Sequence, residues 1–345
     1  IGMKATSNLA LAQSVFRMFE RKGATFGFDR TAYWIHALGV ACCARALAPS
    51  LESADPDDAF LAGLLHDIGK MVLDEYLPDE YQQIVKQNHL AGKPLAVSER
   101  DVFDHDHSYV GQRLAGKWDL PKRFASAIGD HHKIDRLLAK NSSSEPDDGA
   151  RLTTQCVYLA DQMAKAFQFG DAGDFVVDAS GLDLWRRVGR QPVNVSQIYA
   201  AVYGELQTYL DLLGVSGEQL RVSSEETAGK LVLLTLPADK PSHSVLLRAF
   251  YTRLGCTVHT SSTLDTPQDG PHALVVADAP GALDEAAAMA PTLQRLAAAA
   301  ILLSDAPELG RDGRELGPGV IALPRQLDFF ALKERTEELL APSVA

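Results

Sequence analysis

The most informative stretch of the sequence is Leu64-Leu-His-Asp-Ile-Gly-Lys70, in which an apolar helical pattern runs into an adjacent histidine and aspartate. Glycine commonly ends a helix, so Gly69 predicts a helix that stops just after His66 and Asp67. Imidazole and carboxylate groups are both metal ligands. A His-Asp pair is common by chance in a chain of 345 residues, so its meaning depends on the residues that accompany it.

Other histidines and one aspartate share predicted helix faces with apolar residues. These groupings are His36 with Val40, Cys43 and Leu47; His107 with Val110, Leu114 and Trp118; His131 with Phe124 and Ile128; and Asp161 with Val157 and Ala164. Each polar member is therefore expected to point towards a core. For any one histidine alone, a satisfied core or surface position is the more common outcome.

Taken together, the inward-facing imidazoles and carboxylates favour a shared metal site. Such groups are costly to bury unless they pair with one another or are neutralised by cations. Mixed imidazole and carboxylate ligands suit iron, manganese or zinc, and Asp67 could bridge two ions by using both of its oxygens.

The chain changes character near residue 228. Up to about Gly214 the apolar residues recur at helical spacing, which predicts an all-α domain over residues 1–215. Over residues 229–345 short apolar runs alternate with amphipathic helices, which predicts a parallel sheet with right-handed crossovers in a doubly wound, flavodoxin-like α/β domain. The five predicted strands are Leu231–Leu236, Cys256–Ser261, Ala273–Ala277, Ala300–Leu303 and Val320–Leu323. Residues 216–228 are the expected linker.

Composition limits the class of protein. The formal net charge of −12 disfavours direct binding to nucleic acid. No apolar run approaches the roughly 20 residues that span a bilayer, and the first residues lack the order of a signal peptide. A cytoplasmic protein without a membrane segment is therefore expected. The four cysteines form no CxxC pair, so they are expected to be small core residues.

The order of ligand-type residues in the first half resembles that of HD-domain phosphohydrolases, helical bundles that hold one or two metals. The implied metal ligands are His36, His66, Asp67, His107, His131, His132 and Asp161. The Gly-Tyr-Pro motif that follows the double histidine in HD-GYP cyclic di-GMP phosphodiesterases is absent, since Lys133-Ile-Asp-Arg-Leu-Leu138 stands in its place.

The surrounding segments instead resemble the HDOD (HD-related output domain) pattern over roughly residues 1–215. They are Ile1–Ala10, Trp34–Leu38, His107–Gly111, Lys117–Pro121 and Ala127–His132. HDOD domains normally begin with several earlier helices that carry Asp-Pro and Asn-Ser motifs, so the sequence looks N-terminally truncated. Another segment or a dimer partner is expected to cover the apolar surface that those helices would bury.

The second half resembles a degenerate response-regulator receiver. Asp278 follows the third predicted strand and Ser304 the fourth, as the phosphoacceptor and hydroxyl do in receivers. Thr235-Leu-Pro-Ala238 stands where adjacent acids are expected, and Arg325 stands in place of a lysine. Without the acidic pair, magnesium has few oxygen ligands and phosphotransfer loses its charge neutralisation. The resemblance therefore implies a pseudo-receiver used for docking or dimerisation, with Asp278 more simply a loop residue at a strand end.

Two functions follow from these resemblances. The first is a bacterial signal-transduction protein whose HDOD module and pseudo-receiver act by binding other signalling proteins or a nucleotide, with a homodimer as one form. The second is a metal-dependent phosphohydrolase acting on a nucleotide or cyclic nucleotide, in which Asp67 is catalytic and Lys70 steadies the phosphate. The alternative for Lys70 is a cation that complements the dipole at a helix C-terminus.

Overall fold

The computed structural model describes most of the chain in two compact units. The described residues are 14, 28–51, 55–91, 93–133, 137, 148–177, 184, 195–215, 220, 227–235, 241–261, 272–279, 283–304, 306, 309–324 and 327–341. The first unit comprises Ile1–Phe175 with Ser180–Leu220, and the second comprises Val176–Ala179 with Arg221–Ala345. Most of the linker predicted at residues 216–228 lies outside the described residues.

The first unit is helical throughout its described part, as the sequence predicts. Its α-helices there are α1 Arg30–Leu47, α2 Pro56–Leu65, α3 Ile68–Tyr76, α4 Pro78–Ala91, α5 Leu95–Phe103, α6 His107–Lys117, α7 Lys122–Asp130, α8 Asp148–Ala166 and α9 Val195–Leu213. Aspartates begin several of them by accepting backbone N–H bonds that the first turn leaves open. Asp29 caps α1, Asp55 caps α2 ahead of Pro56, and Asp106 caps α6.

Helix α1 forms the centre of this unit, and α2, α8 and α9 pack against it. The stretch Arg30–Leu51 is apolar and long enough to cross a membrane by composition, which corrects the expectation that no run approaches that length. However, 78% of the apolar window is buried inside the protein. Packing against the other helices therefore accounts for its apolar residues, which include the free and buried Cys42 and Cys43.

The second unit is built on a mixed sheet of six strands within the described residues. Its strands and helices are β2 Leu231–Thr235, α10 Pro241–Arg253, β3 Thr257–Ser261, β4 His272–Ala279, α11 Leu283–Leu296, β5 Ala297–Ser304, β6 Arg314–Gly317, β7 Val320–Pro324 and α12 Phe329–Leu340. The strand order is β3-β2-β4-β5-β7-β6, in which β6 alone pairs antiparallel. A separate antiparallel pair joins β1 Val176–Val177 to β8 Leu327–Asp328.

Both faces of the six-stranded sheet are covered. Leu233, Val275 and Leu302 form one core with α11. Residues that alternate with them, such as Leu234 and Val276, point to the other face and are also buried. These doubly buried strands explain the continuous apolar runs in the sequence, which are typical of parallel sheets.

Strands β1 and β8 were not predicted, and in the six-stranded sheet the largest differences from the predicted strands are at β5 and β6. Strand β5 begins at Ala297, three residues before the predicted start, because backbone pairing with β4 extends into the alanine run. Strand β6 was not predicted, since Arg314-Glu-Leu-Gly317 has no apolar alternation, and it forms instead by pairing with β7 at the sheet edge.

Candidate metal centre

Six helices of the first unit bring the predicted ligand residues to one place. His36 comes from the middle of α1, His66 and Asp67 from the junction of α2 and α3, and His107 from the first turn of α6. The double histidine follows the end of α7, and Asp161 lies on α8. We call the seven side chains the His/Asp cluster: His36, His66, Asp67, His107, His131, His132 and Asp161. All are buried except His132, which is partly exposed at the edge.

Asp67 stands at the centre of the cluster. Its Oδ1 lies 3.0 Å from His107 Nε2 and 3.4 Å from His131 Nε2. Its Oδ2 lies 3.3 Å from His66 Nε2. The two oxygens of one carboxylate therefore face different histidines, as the prediction of a bridging aspartate requires.

Asp161 faces the other side of the cluster. Its Oδ1 lies 3.2 Å from His36 Nε2 and 3.8 Å from His66 Nε2. His132 completes the opposite side, with its Nε2 lying 2.9 Å from His107 Nε2. The cluster thus offers two overlapping groups of ligand atoms that share Asp67, one with His36 and His66 and the other with the three remaining histidines.

Hydrogen bonds on the outer nitrogen fix the orientation of three of the rings. Nδ1 lies 2.7 Å from the Gly63 carbonyl oxygen in His66 and 2.9 Å from the Ile128 carbonyl oxygen in His131. In His107 it lies 2.5 Å from a carboxylate oxygen of Glu99. Because these partners only accept hydrogen bonds, Nδ1 carries the proton in each ring and Nε2 is turned inward.

Four inward-facing atoms lack a hydrogen-bond partner within the described part of the chain. They are His36 Nε2, His66 Nε2, His131 Nε2 and Asp67 Oδ1. Buried polar atoms are nearly always satisfied, so four such atoms in one place need an explanation. A neutral imidazole with its proton on Nδ1 presents a lone pair at Nε2, as a carboxylate does at its oxygens. A cation between these lone pairs would satisfy them together, so the residues fit a divalent metal.

The electrostatics of the cluster keep its carboxylates ionised. Burial alone would raise the pKa of Asp67, but the charges of His66, Lys70 and His107 outweigh it and hold that pKa well below its usual range. For Asp161, burial is likewise outweighed, chiefly by the charge of Lys165. Burial lowers the pKa of His36 and His131, which favours their neutral, ligand form.

His107 differs from these two histidines. Burial would lower its pKa, but the neighbouring Glu99 and Asp67 carboxylates raise it to about 9. The two carboxylates therefore favour a proton on this ring when no metal is bound. A metal bound at its Nε2 would displace a proton, so uptake should release one.

Lys70 lies beside Asp67 and not at a helix C-terminus. It belongs to the first turn of α3. Its side chain is 2% exposed, and its Nζ lies 2.6 Å from Asp67 Oδ2. The ammonium group therefore neutralises the central carboxylate in this structure.

Gly69 also differs from expectation, because it lies inside α3 and does not end a helix. A Cβ atom at this position would stand 1.9 Å from the carbonyl oxygen of His107. The glycine therefore permits the close approach of α3 and α6 that brings Asp67 to His107.

The predicted stripe on α6 was wrong in its apolar members. Val110, Leu114 and Trp118 are partly exposed. The buried residues of this helix include His107, Gly111 and Ala115. They recur every four residues, so apart from His107 the buried stripe consists of small residues. A search for large apolar residues at helical spacing therefore misses it.

Sequence reasoning missed four buried residues around the cluster. Lys165 Nζ lies 3.0 Å from Asp161 Oδ2 and 3.4 Å from Asp174 Oδ2. Glu99 contacts His107, and the Tyr81 hydroxyl donates to Glu99 over 3.0 Å. The spacing of four residues between Asp161 and Lys165 on one helix was an available signal. No local pattern links Tyr81 or Glu99 to the cluster.

In the second unit, the receiver-like residues lie at the carboxyl edge of the sheet. Asp278 and Ser304 are near the ends of the adjacent strands β4 and β5, and Ser304 pairs in register with Ala279. The Ser304 hydroxyl is buried and accepts a hydrogen bond from the Ala306 backbone N–H over 3.2 Å. Arg325 lies outside the described residues, so the structure does not place the third member of this pocket.

Comparison with known proteins places an HDOD domain in the first part of the chain: residues 1–134 match that family. A relative from Treponema pallidum (strain Nichols), named as an uncharacterized protein, is 25% identical over 139 residues. These residues are 39% of this chain and 26% of the relative, so the chain spans about a quarter of the length of the curated relative that it matches.

Two solved structures show more distant likeness. An HDOD domain protein with unknown function from Geobacter sulfurreducens is 23% identical with a TM-score of 0.47, over 63% of this chain and 72% of that chain. A protein from Shewanella amazonensis SB2B, provisionally described as a phosphohydrolase, is 17% identical with a TM-score of 0.40, over 74% of each chain.

Proposed function

We propose that the chain is part of a bacterial signalling protein whose HDOD domain holds a divalent transition metal in the His/Asp cluster. The observation that carries this proposal is the set of four buried, inward-facing ligand atoms without a hydrogen-bond partner in the described residues. Iron, manganese or zinc suits the mixture of imidazole and carboxylate groups.

Asp67 would hold the metal from the centre of the cluster. His36, His66 and Asp161 would contribute from one side, and the histidines from α6 and α7 from the other. A bound divalent cation would supply positive charge and Lewis acidity at this position. When no metal is bound, Lys70 neutralises the Asp67 carboxylate and Lys165 neutralises the Asp161 carboxylate. The first unit can therefore fold before it binds the metal.

The burial of the cluster favours a regulatory role over turnover. Catalytic metal sites keep an open coordination position for water or substrate, whereas structural sites are closed. His66, Asp67 and His107 are at most 1% exposed, and the Lys70 ammonium is engaged by Asp67. In this proposal the metal-bound and metal-free states of the cluster differ in how firmly they hold six helices together, and partner signalling proteins bind the two states differently.

One observation favours the second candidate, a phosphohydrolase of a nucleotide or cyclic nucleotide. His132 lies at the edge of the cluster and is partly exposed while its Nε2 contacts His107. A phosphate group would reach the centre of the cluster from this edge. Lys70 could bind that phosphate if its ammonium group released Asp67.

We further propose that the second unit is a pseudo-receiver. Numbered along the chain, its five parallel strands take the order 2-1-3-4-5, which is the flavodoxin-like order used by receivers. The sequence after the first of these strands supplies no acidic pair, so docking to a signalling partner, or dimerisation, replaces phosphotransfer. A cytoplasmic location and the absence of nucleic-acid binding belong to this proposal as well.

The metal content of the protein purified without chelator tests the proposal. Inductively coupled plasma mass spectrometry should find about one to two equivalents of iron, manganese or zinc in the wild type. Asp67→Ala should lose them. The matched control is Asp74→Asn, since Asp74 is also a buried carboxylate but pairs with Arg30. Folded wild-type protein that takes up no metal when metals are supplied would refute the proposal.

A further inference from the structure

Glu99 is a fully buried carboxylate on α5 that pairs with no lysine or arginine among the described residues. Its Oε2 accepts from the backbone N–H of His107 over 2.8 Å and lies 2.5 Å from Nδ1 of the same residue. Its Oε1 accepts from the Tyr81 hydroxyl over 3.0 Å. All three partners are hydrogen-bond donors, and two of them belong to one residue of the His/Asp cluster.

Burying a carboxylate in this way is expensive, since it loses its hydration and faces no lysine or arginine that would neutralise it among the described residues. His66 and His131 fix their rings with backbone carbonyl oxygens three residues earlier in the chain, which cost nothing extra to bury. His107 lies in the first turn of its helix, so no helical carbonyl is available on its N-terminal side. A side chain from another helix has to supply the acceptor.

We propose that Glu99 is the positioning residue of this centre. By anchoring His107 at both its backbone N–H and Nδ1, it fixes the ring with the proton on Nδ1 and directs Nε2 to Asp67 and the metal. Tyr81 holds the far oxygen of Glu99 and so prevents the carboxylate from turning away. A carboxylate behind a histidine also makes that histidine a stronger ligand. This inference rests on the proposed metal function.

A purely structural role for Glu99 is the competing explanation, in which it only satisfies the N–H groups at the start of α6. Such a role would affect the stability of the protein but not the tautomer of His107. It would also leave metal affinity unchanged in any variant that remains folded. The two explanations therefore differ in properties that can be measured on folded protein.

The test compares the wild type with Glu99→Gln, which keeps the shape of the side chain and removes its charge. Zinc affinity is measured by competition with a chromogenic chelator, and the N–H proton resonance of His107 Nδ1 is followed by NMR. We expect Glu99→Gln to bind zinc about 10–100-fold more weakly. The Nδ1–H resonance, far downfield when a carboxylate accepts the bond, should move upfield. Asp74→Asn, which removes a buried carboxylate that pairs with Arg30, should change neither.

Each outcome decides a different point. Wild-type zinc affinity together with an unchanged Nδ1–H resonance in Glu99→Gln would overturn the positioning role. A wild type that takes up no zinc would instead refute the proposed function, and the resonance would still decide whether Glu99 fixes the ring. If Glu99→Gln does not fold, Tyr81→Phe replaces it. This variant should move the resonance in the same direction by less, and no movement would contradict the inference.

Discussion

The His/Asp cluster of the first unit and the carboxyl edge of the sheet in the second differ in how their residues meet. In the cluster, seven side chains from six helices and their ends converge, and four ligand atoms face one another without a hydrogen-bond partner among the described residues. At the sheet edge, Asp278 is partly exposed, and the Ser304 hydroxyl already accepts a backbone hydrogen bond. A residue pattern that resembles that of a family thus indicates a site only where its polar atoms still need a ligand.

The largest loss of stability should come from removing the Lys165 ammonium group, which pairs with Asp161 of the cluster. Lys165→Met leaves Asp161 and Asp174 buried without their shared ammonium, which should lower the free energy of unfolding by about 3–5 kcal/mol. Urea denaturation in the presence of a chelator measures this change, and saturating zinc should recover part of it by neutralising Asp161.

The matched control for this prediction is Lys133→Met. Lys133 also pairs with an aspartate, Asp130, at 2.7 Å, but its side chain is 41% exposed. The loss there should be about 0–1 kcal/mol, as for surface ion pairs. Equal losses of unfolding free energy in the two variants would mean that the buried ion pair of Lys165 contributes no more than the exposed ion pair of Lys133.

The next largest effect concerns the approach of two helices. Gly69→Ala places a methyl group against the His107 carbonyl oxygen, which should cost about 1–3 kcal/mol and weaken metal binding by moving His107 from Asp67. Thermal unfolding and zinc competition check both parts. Gly116→Ala on α6 is the control, because a Cβ there meets nothing within 4 Å. It should stabilise the helix by about 0.5–1 kcal/mol, and a similar loss in both variants would contradict the account.

A smaller effect is expected at the cap of α6. Asp106 accepts hydrogen bonds from Ser108 Oγ and the Tyr109 backbone N–H. Asp106→Ala should therefore cost about 1 kcal/mol at neutral pH. Urea denaturation at a series of pH values measures this loss.

The same cap should depend on pH in a defined direction. Burial alone would raise the pKa of Asp106, but the Ser108 bond, the charge of His107 and the Tyr109 N–H lower it to about 2. Because the folded pKa lies below the unfolded value of about 3.8, the carboxylate stabilises the protein fully above that value. The contribution disappears as the pH falls towards 2. A difference between wild type and variant that stays constant down to pH 2 would exclude this contribution.

The smallest effect should be found at the sheet edge. Asp278→Asn should change stability by no more than about 0.5 kcal/mol, as is usual for partly exposed positions. Intact-mass measurement after incubation with acetyl phosphate and magnesium should show no added phosphoryl group in the wild type. An added group that disappears in Asp278→Asn would make this edge a working receiver and remove the contrast between the two units.

The sequence predicted elements well where one periodicity dominates. Helical spacing predicts helix up to about Gly214, and α9 ends at Leu213. Prediction failed where long-range pairing overrides local preference. Alanine favours helix, yet Ala297 begins a strand because it pairs with His272 of β4. Strand β6 is likewise created by its neighbour β7.

The site was predictable to the extent that its ligands share helix faces or follow helix ends. His36, His107, His131 and Asp161 could be selected because a histidine or aspartate is unusual on an apolar helix face. His66 and Asp67 were selected as an adjacent pair at a helix end, and His132 only through the resemblance to HD-domain phosphohydrolases. The residue that orients His107 could not be selected from the sequence, because Glu99 lies on another helix and no local pattern links the two. Gly69 shows the same limit: a helix-breaking residue in the pattern is, in the fold, a point of contact between two helices.

The most direct test of the metal centre is anomalous diffraction from crystals of the zinc-loaded protein at the zinc absorption edge. Zinc bound in the cluster should give a peak at about 2.0–2.2 Å from an Asp67 carboxylate oxygen and about 2.0–2.1 Å from at least two histidine Nε2 atoms. The peak should be absent in Asp67→Ala. Zinc found only on exposed side chains, such as His105, with no peak inside the cluster, would contradict this prediction.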